Sequence, residues 1–83
     1  MSTRLHIGNI ATTTTVEDIE QLFGRFGSVA SVGINTDPVT GASKGFGFVE
    51  MLIENDANTA IRRLNFSQFG GRTIGVSRAR TSA

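Results

Sequence analysis

The sequence predicts an α+β fold in which two helices cover one face of a four-stranded antiparallel sheet. Two stretches carry apolar residues at helical spacing, four short stretches alternate apolar with polar residues, and their order along the chain is β-α-β-β-α-β. At 83 residues there is room for a single domain, and with no cysteine its core must be held by apolar packing, without disulfides or thiolate metal sites.

The first strand is expected at Arg4 to Asn9, where Leu5 and Ile7 alternate with His6 and Gly8. The threonines at 12 to 15 then read as a loop ending in a helix cap. The Thr15 hydroxyl can accept from backbone N–H groups ahead of it, and Glu17 and Asp18 suit the positive end of the helix dipole. Val16, Ile19, Leu22, Phe23 and Phe26 make one apolar face, with Gly27 expected as the C-cap. A second strand follows at Ala30 to Asn35. Asp37-Pro38-Val39-Thr40-Gly41 is turn chemistry, since proline presets φ and glycine accepts a positive one, and it leads into the third strand, Lys44 to Met51. Ala57, Ala60, Ile61 and Leu64 mark the second helix, with Arg62 and Arg63 turned outward. Asn55 is a candidate for its cap, while Leu52 and Ile53 could instead prolong the preceding strand. Thr73 to Ser77 forms the last strand.

The net charge of +1 hides an uneven distribution. All seven carboxylates lie at or before Asp56, and Arg62, Arg63, Arg72, Arg78 and Arg80 follow it. A basic C-terminal part suits an anionic partner without requiring one. No apolar run approaches the length of a membrane span or of a signal-peptide core, so a soluble cytoplasmic protein with no membrane contact is expected. One histidine and no cysteine leave no multi-histidine zinc site, and Gly45-Phe46-Gly47 neither opens a helix nor has the third glycine of a dinucleotide loop. Neither catalysis nor a metal or cofactor is expected.

Alternation along the strands exposes the informative feature. In the third strand Gly47, Val49 and Met51 point one way, and Phe46 and Phe48 point the other way with Glu50, which marks the side facing water. Two phenylalanines on the wet face of a central strand forgo roughly 25 cal/mol per Å² of apolar burial, a cost with no folding benefit. His6 adds a third ring to the same face. Around them stand small or polar residues: Gly8, Ser31, Gly33, Asn35, Thr73, Gly75 and Ser77. Flat ligands with a π-face and polar edges fit such a surface, and nucleic-acid bases are the common ones.

Lys44-Gly45-Phe46-Gly47-Phe48-Val49-Glu50-Met51 resembles the RNP1 octamer of the RNA-recognition motif and lacks only its last aromatic. Leu5-His6-Ile7-Gly8-Asn9-Ile10 is similar to the companion RNP2 hexamer. The resemblance implies the ferredoxin-like βαββαβ sandwich over residues 3–80, with a short tail at 81–83. It also implies that His6, Phe48 and Phe46 stack on bases or pack against ribose, and that Lys44 meets phosphate. His6 departs from the usual Tyr or Phe and offers a smaller stacking surface. Asn35 and Ser77 are the expected base-discriminating groups, and Arg78 and Arg80 would close over bound RNA. The expected partner is single-stranded RNA, with single-stranded DNA a second candidate, bound by a monomer with micromolar affinity and moderate salt dependence. A start at methionine and an end just past the last strand resemble the stand-alone RNA-binding proteins of bacteria; an excised eukaryotic domain would instead be nuclear.

The alternative is a protein-interaction module of the same fold. Domains of that kind usually have damaged RNP aromatics, whereas here only His6 is altered. Phe66, in the loop after the second helix where the family commonly has glycine, is expected to extend the core beneath that loop, with a partner contact as the alternative.

Overall fold

Apolar side chains from alternate strand positions and from one face of each helix meet in a single layer between sheet and helices. The computed structural model describes residues 2–41 and 43–79, with the side chains of residues 43 and 44 outside that description. The elements are β1 (Thr3–Gly8), α1 (Val16–Gly24), β2 (Val29–Thr36), β3 (Ser43–Met51), α2 (Glu54–Leu64), β4 (Gln68–Phe69), β5 (Arg72–Thr73) and β6 (Gly75–Arg78). The main sheet is antiparallel in the order β2-β3-β1-β6, and β4 and β5 pair separately as a small hairpin. Leu5, Ile7, Val49, Met51 and Val76 from the sheet bury against Ile19 and Phe23 of α1 and against Ala57, Ala60 and Leu64 of α2. Each large side chain buried this way contributes about 1.5–3 kcal/mol.

The first helix starts where the sequence places it. The Asp18 N–H donates to Thr15 Oγ1 and the Thr15 N–H donates to Asp18 Oδ2, both at 3.1 Å, a reciprocal capping box. It ends earlier than expected, at Gly24 with Arg25 as C-cap, so Gly27 does not cap it. A Cβ at Gly27 would stand 2.6 Å from the Cβ of Asp56, so its smallness lets the connection to β2 pass close to the first turn of α2. Turn chemistry holds between β2 and β3. Asp37 Oδ1 accepts from the Val39 and Thr40 N–H groups at 2.7 and 3.3 Å, and Gly41, at φ 75°, donates to the Asp37 carbonyl at 2.7 Å. The ladder between β2 and β3 shifts register at two places, between Val29 and Ser31 and between Ile34 and Thr36.

The second helix begins at Glu54 with Ile53 as N-cap and no side-chain cap, which puts Asn55 inside the helix. Leu52 and Ile53 are a half-exposed link outside β3. Glu54 and Asp56 in the first turn and Arg62 and Arg63 in the last complement the helix dipole.

The expected strand at Thr73 to Ser77 is two strands. Arg72 and Thr73 pair with Phe69 and Gln68 across a Gly70-Gly71 turn at φ 62° and 82°, and only Gly75–Arg78 joins the main sheet. The intervening Ile74 is stitched to the loop after α2: its N–H donates to the Ser67 carbonyl, and its carbonyl accepts from the Phe66 N–H, both at 2.9 Å. Asn65 Oδ1 accepts the Val76 N–H at 3.0 Å on the outer edge of β6. This stitching overturns the expectation for Phe66. Its backbone turns to φ 65° and its ring is 80% exposed, outside the core. No helix among the described residues is long and apolar enough to cross a membrane.

Candidate functional site

The face of the sheet away from the helices is built in three cross-strand rows. Glu50 stands between Ser31 and Arg4; Phe48 between Gly33 and His6, with Ser77 beyond; and Phe46 beside Gly8, with Gly75 beyond. His6 is exposed, Phe48 half-buried and Phe46 37% exposed, so all three rings lie outside the core on this one face. The His6 and Phe46 rings are stacked with centroids 6.1 Å apart and planes at 28°. Phe48 leans over Gly33, where a Cβ would lie 2.7 Å from its Cζ, so this glycine makes room for the ring. Asn35 and Ser77 are exposed, Asn35 at the irregularity between Ile34 and Thr36 and Ser77 across from His6.

Two of the expected basic contacts fall outside the described residues: the Lys44 side chain and Arg80. Arg78 is placed differently from the expectation. It pairs with Leu5, a core-facing position of β1, and its guanidinium turns to the helical side, where Nη1 lies 3.1 Å from Glu54 Oε1 and Nη2 donates to Asn58 Oδ1. Strand parity accounts for this, because Ser77 takes the outward position.

Sequence reading places Glu50 on this face but misses Arg4 beside it. Arg4 shares parity with His6, which could have revealed it, and its Cζ stands 4.2 Å from the centroid of the Phe48 ring, a cation-π contact. Glu50 accepts from Ser2 Oγ at 2.7 Å and Ser31 Oγ at 3.2 Å; these hydroxyls, and after them the charge of Arg4, hold its carboxyl below the ordinary 4.5. One end of the face therefore has a fixed acceptor beside a cation. At the other end a cleft of about 640 Å³ opens beside Phe46 and His6, lined also by Asn9, Thr12 and Arg72.

Comparison with known proteins agrees with this geometry. The family model of the RNA recognition motif matches residues 5–75. The chain is 45% identical over 74 residues to the chloroplastic RNA-binding protein CP33 of Arabidopsis thaliana, covering 89% of this chain and 22% of that protein. It is 37% identical over 76 residues to RbpE of Nostoc sp., covering 92% of this chain and 77% of that one. Across the first three curated relatives the chain spans 22–38% of their length. Among solved structures, the RNA-binding protein PG1 superposes with a TM-score of 0.93 at 40% identity, covering 98% of both chains. The RRM of Rna15, solved with bound GU RNA, superposes with 0.86 at 31% identity, covering 96% of this chain and 85% of that one. With its fold, its outward rings and a family match across most of its length in agreement, the chain belongs to the RNA recognition motif family.

Proposed function

We propose that the chain binds single-stranded RNA as a monomer, without catalysis, across the outer face of its sheet. The observation that carries the reading is the placement of Phe46, Phe48 and His6 on the face opposite the core, where the rings stabilise the fold little and offer π-surface to bases. Bases stack on Phe48 and His6, and Phe46 packs against the sugar or the next base. Asn35 and Ser77, at opposite sides of the rings, offer hydrogen bonds to base edges. Glu50, its lone pairs fixed by Ser2 and Ser31, suits an exocyclic amino group and repels phosphate at that end. Titration of a randomised eight-nucleotide RNA pool, with a matched single-stranded DNA pool, tests this. The Phe46→Ala, Phe48→Ala double variant is expected to stay folded and to lose most of its RNA affinity, since stacking is worth about 1–3 kcal/mol per base. A folded double variant that binds as tightly as the parent refutes the reading. Affinity for DNA equal to that for RNA refutes selectivity for ribose.

A further inference from the structure

The cleft past Phe46 holds a cation that the sheet-face reading leaves unused. Arg72 Nη2 donates to Asn9 Oδ1 at 2.9 Å, while Asn9 Nδ2 donates to the Thr73 carbonyl at 2.6 Å. Asn9 sits at φ 59°, a left-handed conformation that asparagine tolerates better than most residues, and from there its amide bridges the end of β1 to β5. A long, exposed side chain is thereby fixed at the wall of the cleft with only one of its nitrogens engaged by Asn9. The two arginines on strands of the main sheet differ: Arg78 is turned to the helical side and neutralised by Glu54, and Arg4 stands across from Glu50. Arg72 has no carboxylate partner among the described residues, and no acid lines the cleft.

We propose that this cleft is a backbone subsite in which Arg72, positioned by Asn9, grips a phosphodiester of the RNA strand. The proposal rests on the sheet-face reading, because His6 and Phe46 line the same cleft and a base stacked on them brings its sugar-phosphate into it. A guanidinium already held by one hydrogen bond presents its remaining N–H groups as a fork, and an anionic diester matches that fork.

The test uses fluorescein-labelled octa-uridylate, titrated by anisotropy at a series of salt concentrations. Arg72→Met is expected to weaken binding about three- to tenfold at low salt and to flatten the slope of log affinity against log salt by about 0.7, the value for one phosphate on a single strand. Arg63→Met, which removes the same charge from an exposed position of α2, is expected to keep the parent slope. A measurement on the unsubstituted chain does not depend on the variant folding: the Arg72 Nε–Hε resonance should shift as the RNA saturates. Unchanged affinity and slope in Arg72→Met, or an unmoved Arg72 resonance, overturns the subsite; if the Phe46→Ala, Phe48→Ala variant still loses binding, the sheet-face reading survives. If neither variant loses binding, both fall together.

Discussion

Two glycines on neighbouring strands make opposite predictions for the same added methyl group. At Gly33 the Cβ of alanine would overlap Phe48 Cε1 and stand 2.7 Å from Cζ and 3.0 Å from Cδ1, against about 3.5–4.0 Å for an ordinary carbon contact, so the ring must move by about 1.5 Å. The obstacle is the far end of a half-buried side chain and can swing outward. Overpacking of about 1 kcal/mol is then partly offset by the roughly 0.5–1 kcal/mol that alanine recovers from glycine's extra chain entropy. Stability should change by less than about 1 kcal/mol. RNA affinity should nevertheless fall about fivefold, the lower end of the 1–3 kcal/mol that a stacked base is worth, because the ring is displaced but not removed. At Gly47 the added Cβ would meet the Gly33 carbonyl oxygen and stand 3.0 Å from the Ile34 Cα, and this backbone cannot swing aside. Gly47→Ala should cost about 3 kcal/mol, a large part of the roughly 5–15 kcal/mol that holds a small domain. Thermal melts followed by circular dichroism read stability, and anisotropy with a short labelled RNA reads binding. If Gly33→Ala melts like the parent, shows a shifted Phe48 ring by NMR and binds as tightly, the position of that ring does not set affinity and the stacking argument fails.

Glu50 and Phe66 supply two more. The Glu50 carboxyl titrates below its ordinary 4.5 in the folded chain, so its contribution is present above the unfolded value and is lost as pH falls through the folded one. The parent should therefore lose more of its melting temperature between about pH 6 and about pH 3 than Glu50→Gln does, and equal losses would show that the Ser2 and Ser31 contacts add nothing. Phe66→Asn should raise the melting temperature, by the equivalent of up to about 1 kcal/mol, because the exposed ring leaves the core on substitution untouched while asparagine accepts φ 65° more readily. A lower melting temperature would mean that the ring packs on something after all.

Much of this was legible in the sequence because two independent periodicities agreed. Glu50 flagged the wet side of β3, and that one polar residue was enough to turn Phe46 and Phe48 outward and to assign Val49 and Met51 to the core. Where the reading failed, hydrogen bonds beyond the reach of periodicity decided the outcome. The two-residue strands β4 and β5 are too short to show alternation, although Gly70-Gly71 was the available hairpin signal. Hydrophobicity points Phe66 at the core, but its N–H is committed to the Ile74 carbonyl and its backbone, at φ 65°, leaves the ring exposed. Charge and a place after the expected last strand point Arg78 at RNA, whereas parity counted one residue past Ser77 turns it to the helical side, where it meets Glu54. Arg72 carried no periodic signal; its placement depends on Asn9, 63 positions earlier in the chain.

The bond from Val76 to Asn65 has a bearing on solubility. A sheet with an aromatic face risks growing sideways, because a free row of amides along its margin is a template for a second chain. Here one margin has a backbone donor already taken by the Asn65 side chain, and the other, β2, slips out of step twice along its ladder. Strand-by-strand polymerisation is hindered on both sides, and the face that carries the rings stays open.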